Sequence, residues 1–181
     1  MSSDRIEKEV LLRSPLERVW RAISDANEFG RWFGVRFDGP FVAGTSVTGV
    51  ITPTTVDDDV ARAQEPYAGK ADTWQIVAVE PHRRLAFRWH PYGVEDGVDY
   101  SKEPTTLVVF ELQEVEGGTL LSVVESGFDK IPAARRVEAF RMNSGGWDEQ
   151  LKNIEKHTGE THGIHFPRGP ASTAGFSRPR S

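Results

Sequence analysis

Residues 105–126 read TTLVVFELQEVEGGTLLSVVES. Val108, Phe110 and Leu112 fall on one face of the first half, and Leu121 and Val123 share a face of the second. A period of two on both sides of a tight Glu116-Gly117-Gly118 join is the pattern of an antiparallel hairpin. Glu125 continues the Leu121–Val123 register, which sets a carboxylate on the apolar face near the strand end. Downstream the period changes. Val137, Phe140, Ser144, Trp147, Leu151 and Ile154 step by three and four, one apolar stripe on a helix over residues 129–157. Asp129 is its expected N-cap, Pro132 fits the first turn, and Gly159 is the expected stop. A hairpin feeding a long amphipathic helix predicts that the helix covers the apolar face of a sheet.

Working outward, the same reading finds more short strands. Residues 73–80 and 84–89 flank Pro81-His82-Arg83, with Leu85, Phe87 and Trp89 on one face. Residues 35–37 and 46–52 precede them. Near the start, Ile6, Lys8, Val10 and Leu12 alternate over residues 5–13. Ser14-Pro15-Leu16-Glu17 then reads as a capping box opening a helix that buries Leu16, Val19, Trp20 and Ile23. Ser24-Asp25-Ala26-Asn27 marks a break and a second cap, before a short helical turn ending at Trp32. The order is strand, helix, helical turn, six strands, long helix. It predicts an α+β fold in which a curved antiparallel sheet of about seven strands wraps the C-terminal helix. Ser144-Gly145-Gly146 in mid-helix suggests either a void or a close backbone approach there.

Composition limits what such a domain does. The chain has 181 residues and no cysteine, so it carries neither a disulfide framework nor a thiol nucleophile. With 22 basic and 27 acidic residues its net charge is −5, which excludes a domain-wide nucleic-acid footprint. No apolar run approaches a membrane span, and MSSDRIEKEV has no signal-peptide core, so a cytoplasmic location is expected. Residues 1–159 are expected to form the folded domain. Residues 160–181 are expected to form a flexible basic tail, rich in Arg, Pro and Gly. Two long connections, 53–72 and 91–104, are expected to act as flaps.

The pieces that carry this order also carry a resemblance. EVLLRSPLERVWRAISDANEFGRWF (9–33), IVAVEPHRRLAFRW (76–89), LVVFELQEVEGGTLLSVVESGF (107–128) and GGWDEQLKNIEK (145–156) together resemble the START-like (SRPBCC) superfamily, in its branch of heat-shock ATPase activator homologues, the Aha-like proteins. The resemblance implies a helix-grip (START/Bet v-like) fold with a cavity between sheet and C-terminal helix. It also implies an apolar, lipid-like or polyketide-like ligand, or alternatively a chaperone partner. A few superfamily members are cyclases or hydrolases. The 53–72 connection is longer than this branch usually carries.

If the apolar sheet face looks at the helix, Trp74, Phe87, Trp89, Val108, Phe110, Leu121, Val123, Phe140, Ser144 and Trp147 point inward as ligand-binding candidates. The alternative is that they fill a core. Glu125 is the polar candidate, as a ligand anchor or as the weak catalytic candidate of a small cyclase or hydrolase-like enzyme; a solvated or Arg-paired strand end is its bland alternative. His90 reads as a surface histidine before Pro91. Asp57-Asp58-Asp59 matches no calcium loop and reads as a solvated loop. His157, His162 and His165, with Glu160, lack metal-ligand spacing. No nucleophile elbow, Walker or dinucleotide motif occurs, and no cofactor or metal is expected. Binding of an apolar or amphipathic small molecule, without turnover, is the leading expectation.

Overall fold

The computed structural model describes residues 5–162, with side chains through Gly159. The elements are β1 (Arg5–Leu12), α1 (Leu16–Ser24), α2 (Ala26–Phe33), β2 (Val35–Phe37), β3 (Ser46–Ile51), α3 (Asp58–Gln64), β4 (Ala71–Glu80), β5 (Arg84–Trp89), β6 (Thr106–Val115), β7 (Gly118–Ser126) and α4 (Ala133–His162). The strands form one antiparallel sheet in the order β1-β7-β6-β5-β4-β3-β2. α4 packs against its concave face. This is the α+β helix-grip arrangement.

The alternation read from sequence sets the sheet's two faces. Along β7 every second residue is buried, from Thr119 through Leu121 and Val123 to Glu125. Leu112 pairs with Leu121, Phe110 with Val123, and Val108 with Glu125, so the carboxylate ends a ladder of apolar pairs. Between β4 and β5 the register shifts around Val77. A bulge of this kind bends a strand and increases its twist. It also moves the ladder by one residue, so that Ile76, not Val77, sits opposite Phe87 on the buried face.

The core is aromatic. Phe29 on α2 lies within 6.4 Å, centroid to centroid, of Trp32, Phe33, Phe37, Phe41, Trp74, Phe87 and Phe110. Trp32 lies near the C-terminal end of α2, where the sequence ends its short helical turn. It is buried, with its indole N–H donating to the Ala22 carbonyl at 2.9 Å.

Several local expectations are corrected. The Ser14 capping box does not form: α1 begins at Leu16 with Pro15 in the cap position, and the Ser14 carbonyl instead accepts from the Thr119 hydroxyl at 2.8 Å. The second cap is as read, with Asp25 accepting from the backbone N–H groups of Asn27 and Glu28. Asp57-Asp58-Asp59 starts a helix and is not a plain loop; Asp57 caps α3 through the Val60 N–H. Acidic side chains suit that end of the helix dipole. α4 starts after Pro132, later than expected, and runs past Gly159 to His162. Val137 does not join the apolar stripe; it is 77% exposed, and Ala139 is buried instead. Gly145 and Gly146 border neither a void nor a close neighbour, since no atom lies within 4 Å of a Cβ built on either. The expected tail lies outside the described residues from 163 onward, with His165 in it. Among the described residues no helix is long and apolar enough to cross a membrane.

Candidate functional site

β7 brings Glu125 under α4, and β5 brings Trp89 beside it. The Glu125 side chain has no exposed surface. One carboxylate oxygen, Oε2, accepts from Trp89 Nε1 at 2.7 Å and Thr106 Oγ1 at 2.6 Å. The other, Oε1, accepts from Trp147 Nε1 at 2.8 Å, and Asn143 Nδ2 reaches both oxygens at 3.0 and 3.1 Å. Burial pushes the Glu125 carboxyl up from its ordinary value, and the four donors pull it back. Neither a solvated strand end nor an arginine pair describes it. Both oxygens are engaged by protein, so the carboxylate acts on its neighbours: it fixes two indoles and one carboxamide.

Two of those neighbours, Trp89 and Asn143, stand in the wall of a pocket of roughly 190 Å³. The rest of the apolar wall comes from Phe33, Val35, Ile51 and Trp74, together with Gly49. Its polar side holds Lys70, Asp72, His90 and Tyr92. The pocket therefore lies between the β3–β4 side of the sheet and the first half of α4, under the two long connections. Those connections clasp one another. Lys70 pairs with Asp96, and the Tyr67 and Tyr92 hydroxyls meet at 3.5 Å. Hydrogen bonding to Tyr67, together with burial, pushes the Tyr92 phenol up to about 12, so it stays a neutral hydroxyl. Arg135 of α4 ties the second connection down. It pairs with Glu103 at 2.7 Å, donates to the Pro91 carbonyl at 3.0 Å and lies over the Tyr100 ring.

Of the candidates drawn from sequence, Trp74 and Trp89 line this pocket. Phe87, Val108, Phe110, Leu121 and Val123 are buried in the aromatic and aliphatic core beneath it. Trp147 packs between Phe33, Trp89 and Phe110. Phe140 packs on Phe128 at 5.1 Å, and Ser144 is half-buried on α4 away from the pocket wall. Glu125 lies behind the wall, one hydrogen bond from the pocket through Trp89 or Asn143.

Sequence reading missed the polar side. His90 is not a surface histidine: its side chain is only 10% exposed, and Asp72 accepts from its ring Nδ1 at 2.8 Å and from its backbone N–H at 3.1 Å. Asp72 continues the inward register of Trp74 and Ile76, and Asn143 lies one helical turn before Trp147 on the same face. Both spacings were available as signals. Among the described residues no cluster of three or more His, Asp or Glu side chains is arranged to hold a metal ion. His157 instead meets Glu28 at 3.0 Å, between α4 and α2.

A curved seven-stranded sheet gripping a long helix, with a pocket at one end of the grip, defines a START-like protein. Residues 13–159 match the family model described as Activator of Hsp90 ATPase homolog 1-like protein, and the chain belongs to that family. Solved structures agree on the fold. A protein from Mesorhizobium loti, 20% identical, superposes with a TM-score of 0.64 over 87% of this chain and 98% of its own. A protein from Nitrosomonas europaea, 17% identical, gives 0.63 over 90% and 99%. DynU16, from the dynemicin biosynthetic locus, is 22% identical with a TM-score of 0.61, over 87% of this chain and 48% of its own. No curated protein matches the chain.

Proposed function

We propose that this protein binds a small amphipathic molecule in the pocket between the sheet and α4, without turning it over. The observation that carries this reading is the division of the wall: Trp74, Trp89, Phe33, Val35 and Ile51 on one side, Asp72, His90 and Asn143 on the other. Apolar walls with a few convergent polar groups are the usual composition of small-molecule sites. Size narrows the class. A cavity of about 150 Å³ accommodates benzene, and drug-sized sites begin near 300 Å³. A pocket of roughly 190 Å³ suits one or two fused rings. Burial of the ligand's apolar area supplies the affinity, at about 25 cal/mol per Å², and the polar side sets orientation. A cytoplasmic location belongs to the same reading and is checked by cell fractionation.

The test is ligand-detected NMR with a library of one- and two-ring compounds, repeated on Ile51→Trp, which fills the pocket from the β3 side. Binding that disappears in the filled variant supports the reading, and silence across the library removes it. The family description favours a second reading, binding to a chaperone ATPase. A pull-down and an ATPase assay with Hsp90 decide it, and no effect in either removes it.

A further inference from the structure

The polar side of the pocket has a defined direction of hydrogen bonding. Asp72 accepts twice from His90, once from the backbone N–H and once from ring Nδ1. A carboxylate accepts only, so Nδ1 carries the proton that bridges the pair, and in the neutral ring Nε2 is left with a lone pair. Among the described residues Nε2 has no hydrogen-bond partner, and it is not among the buried unpartnered atoms. Nε2 therefore keeps some accessible surface, and His90 is one of the residues that line the pocket. Across that space stand two indoles, Trp74 and Trp89, whose rings meet edge to face at 5.0 Å. Trp89 has already given its N–H to Glu125, so it offers the ligand ring surface and no donor. One N–H of the Asn143 amide is likewise taken by Glu125, shared between its two oxygens. The apolar wall thus keeps one indole donor, Trp74 Nε1, which has no hydrogen-bond partner among the described residues, and a basic acceptor stands beside it.

We propose that the Asp72–His90 pair makes this pocket selective for small aromatic molecules carrying a hydroxyl, that is phenols, with the hydroxyl donating to His90 Nε2 while the ring lies against Trp74 and Trp89. The proposal rests on the ligand-binding reading above and adds the chemical class. Asp72 is a positioning residue in it, holding the tautomer that leaves Nε2 an acceptor. A methyl ether of the same ring has no proton to donate and would leave Nε2 desolvated and unpaired, which is the costlier half of a lost hydrogen bond.

The test is a set of titrations followed by tryptophan fluorescence, comparing phenol with anisole and 2-naphthol with 2-methoxynaphthalene. Wild type is expected to bind each hydroxyl compound roughly tenfold more tightly than its ether. His90→Phe keeps a ring and removes the acceptor, and it is expected to erase the difference. Asp72→Asn is expected to narrow or reverse it, because the amide N–H₂ turned to Nδ1 moves the ring proton to Nε2. Thermal melts of each variant establish that it is folded, and ¹⁵N shifts of the His90 ring report the tautomer even if the variants bind poorly. Equal binding of phenols and ethers by wild type overturns the selectivity while leaving the pocket reading intact. Loss of all binding overturns both.

Discussion

Glu125 of β7 accepts the indole N–H of Trp147 of α4 at 2.8 Å, so the helix is bonded to the sheet it grips through a fully buried carboxylate. The same carboxylate takes the Trp89 indole, the Thr106 hydroxyl and the Asn143 amide. Indoles and amide N–H groups donate only, so the group at this centre must accept on both sides. Glu125→Gln replaces one accepting oxygen with an N–H₂ facing another donor. It is expected to cost about 1–3 kcal/mol, read as a lower denaturation midpoint with an unchanged m-value. Glu125→Ala is expected to cost more, because four donors lose their partner and a void opens.

Arg135 makes the parallel argument for the second long connection. It is half-buried and holds Glu103, the Pro91 carbonyl and the Tyr100 ring at once. Lys70–Asp96, by contrast, involves an aspartate side chain that is 95% exposed, and exposed pairs contribute little. Arg135→Ala is expected to raise amide exchange across residues 91–104 and to weaken ligand binding. Asp96→Ala is expected to leave both nearly unchanged. Hydrogen-exchange mass spectrometry separates the two outcomes.

Acid sensitivity has its own locus, the contact of α2 with α4. Burial alone would raise Glu28. Hydrogen bonds from His157 and Arg18, the Arg18 charge and a further bond from Arg21 overcome it and hold Glu28 at about 2, against an ordinary 4.5. Its stabilisation is present above 4.5 and is lost as pH falls toward 2. Burial lowers His157 below its ordinary 6.5, so it too favours the folded state less as pH falls below that value. Glu125 runs the other way, since a raised carboxyl pKa favours the fold on the acid side. The melting temperature is expected to decline from about pH 6.5 and more steeply below 4.5. In Glu28→Gln the lower step is expected to flatten. An unchanged profile there would place the acid sensitivity elsewhere.

These residues also show which parts of the molecule were legible. Periodicity exposed the sheet, its apolar face and the gripping helix, because each is a repeated local pattern. Glu125 stood out for the same reason, as a charge in an apolar register. Its partners did not, because they come from β5, β6 and α4, and spacing within one strand carries no information about who meets whom across 18 to 36 residues. Only two of the expected liners, Trp74 and Trp89, border the pocket, for a related reason. Pattern marks a residue as inward but does not say whether the inside is filled, and Phe29 with its ring neighbours fills the middle. His90 was misjudged because it follows a strand end, where strict alternation lapses, and because nothing in the 73–90 hairpin announces the bulge at Val77.

The glycines separate into those the fold requires and those it merely tolerates. Gly118 has φ +150°, and a Cβ built on it would lie 2.0 Å from the Leu12 carbonyl oxygen of the neighbouring strand. Gly118→Ala is therefore expected to push β1 off β7 and to destabilise strongly. Gly145 and Gly146 sit on the exposed side of α4 in helical conformation, with nothing within 4 Å of a built Cβ. Alanine there loses less backbone entropy on folding and is expected to stabilise by up to about 1 kcal/mol at each position. The double variant is expected to raise the melting temperature by a few degrees without altering ligand binding, since neither residue borders the pocket. A fall in stability would mean that this stretch of α4 needs glycine for a contact or a bend, and calorimetry on the three variants settles the matter.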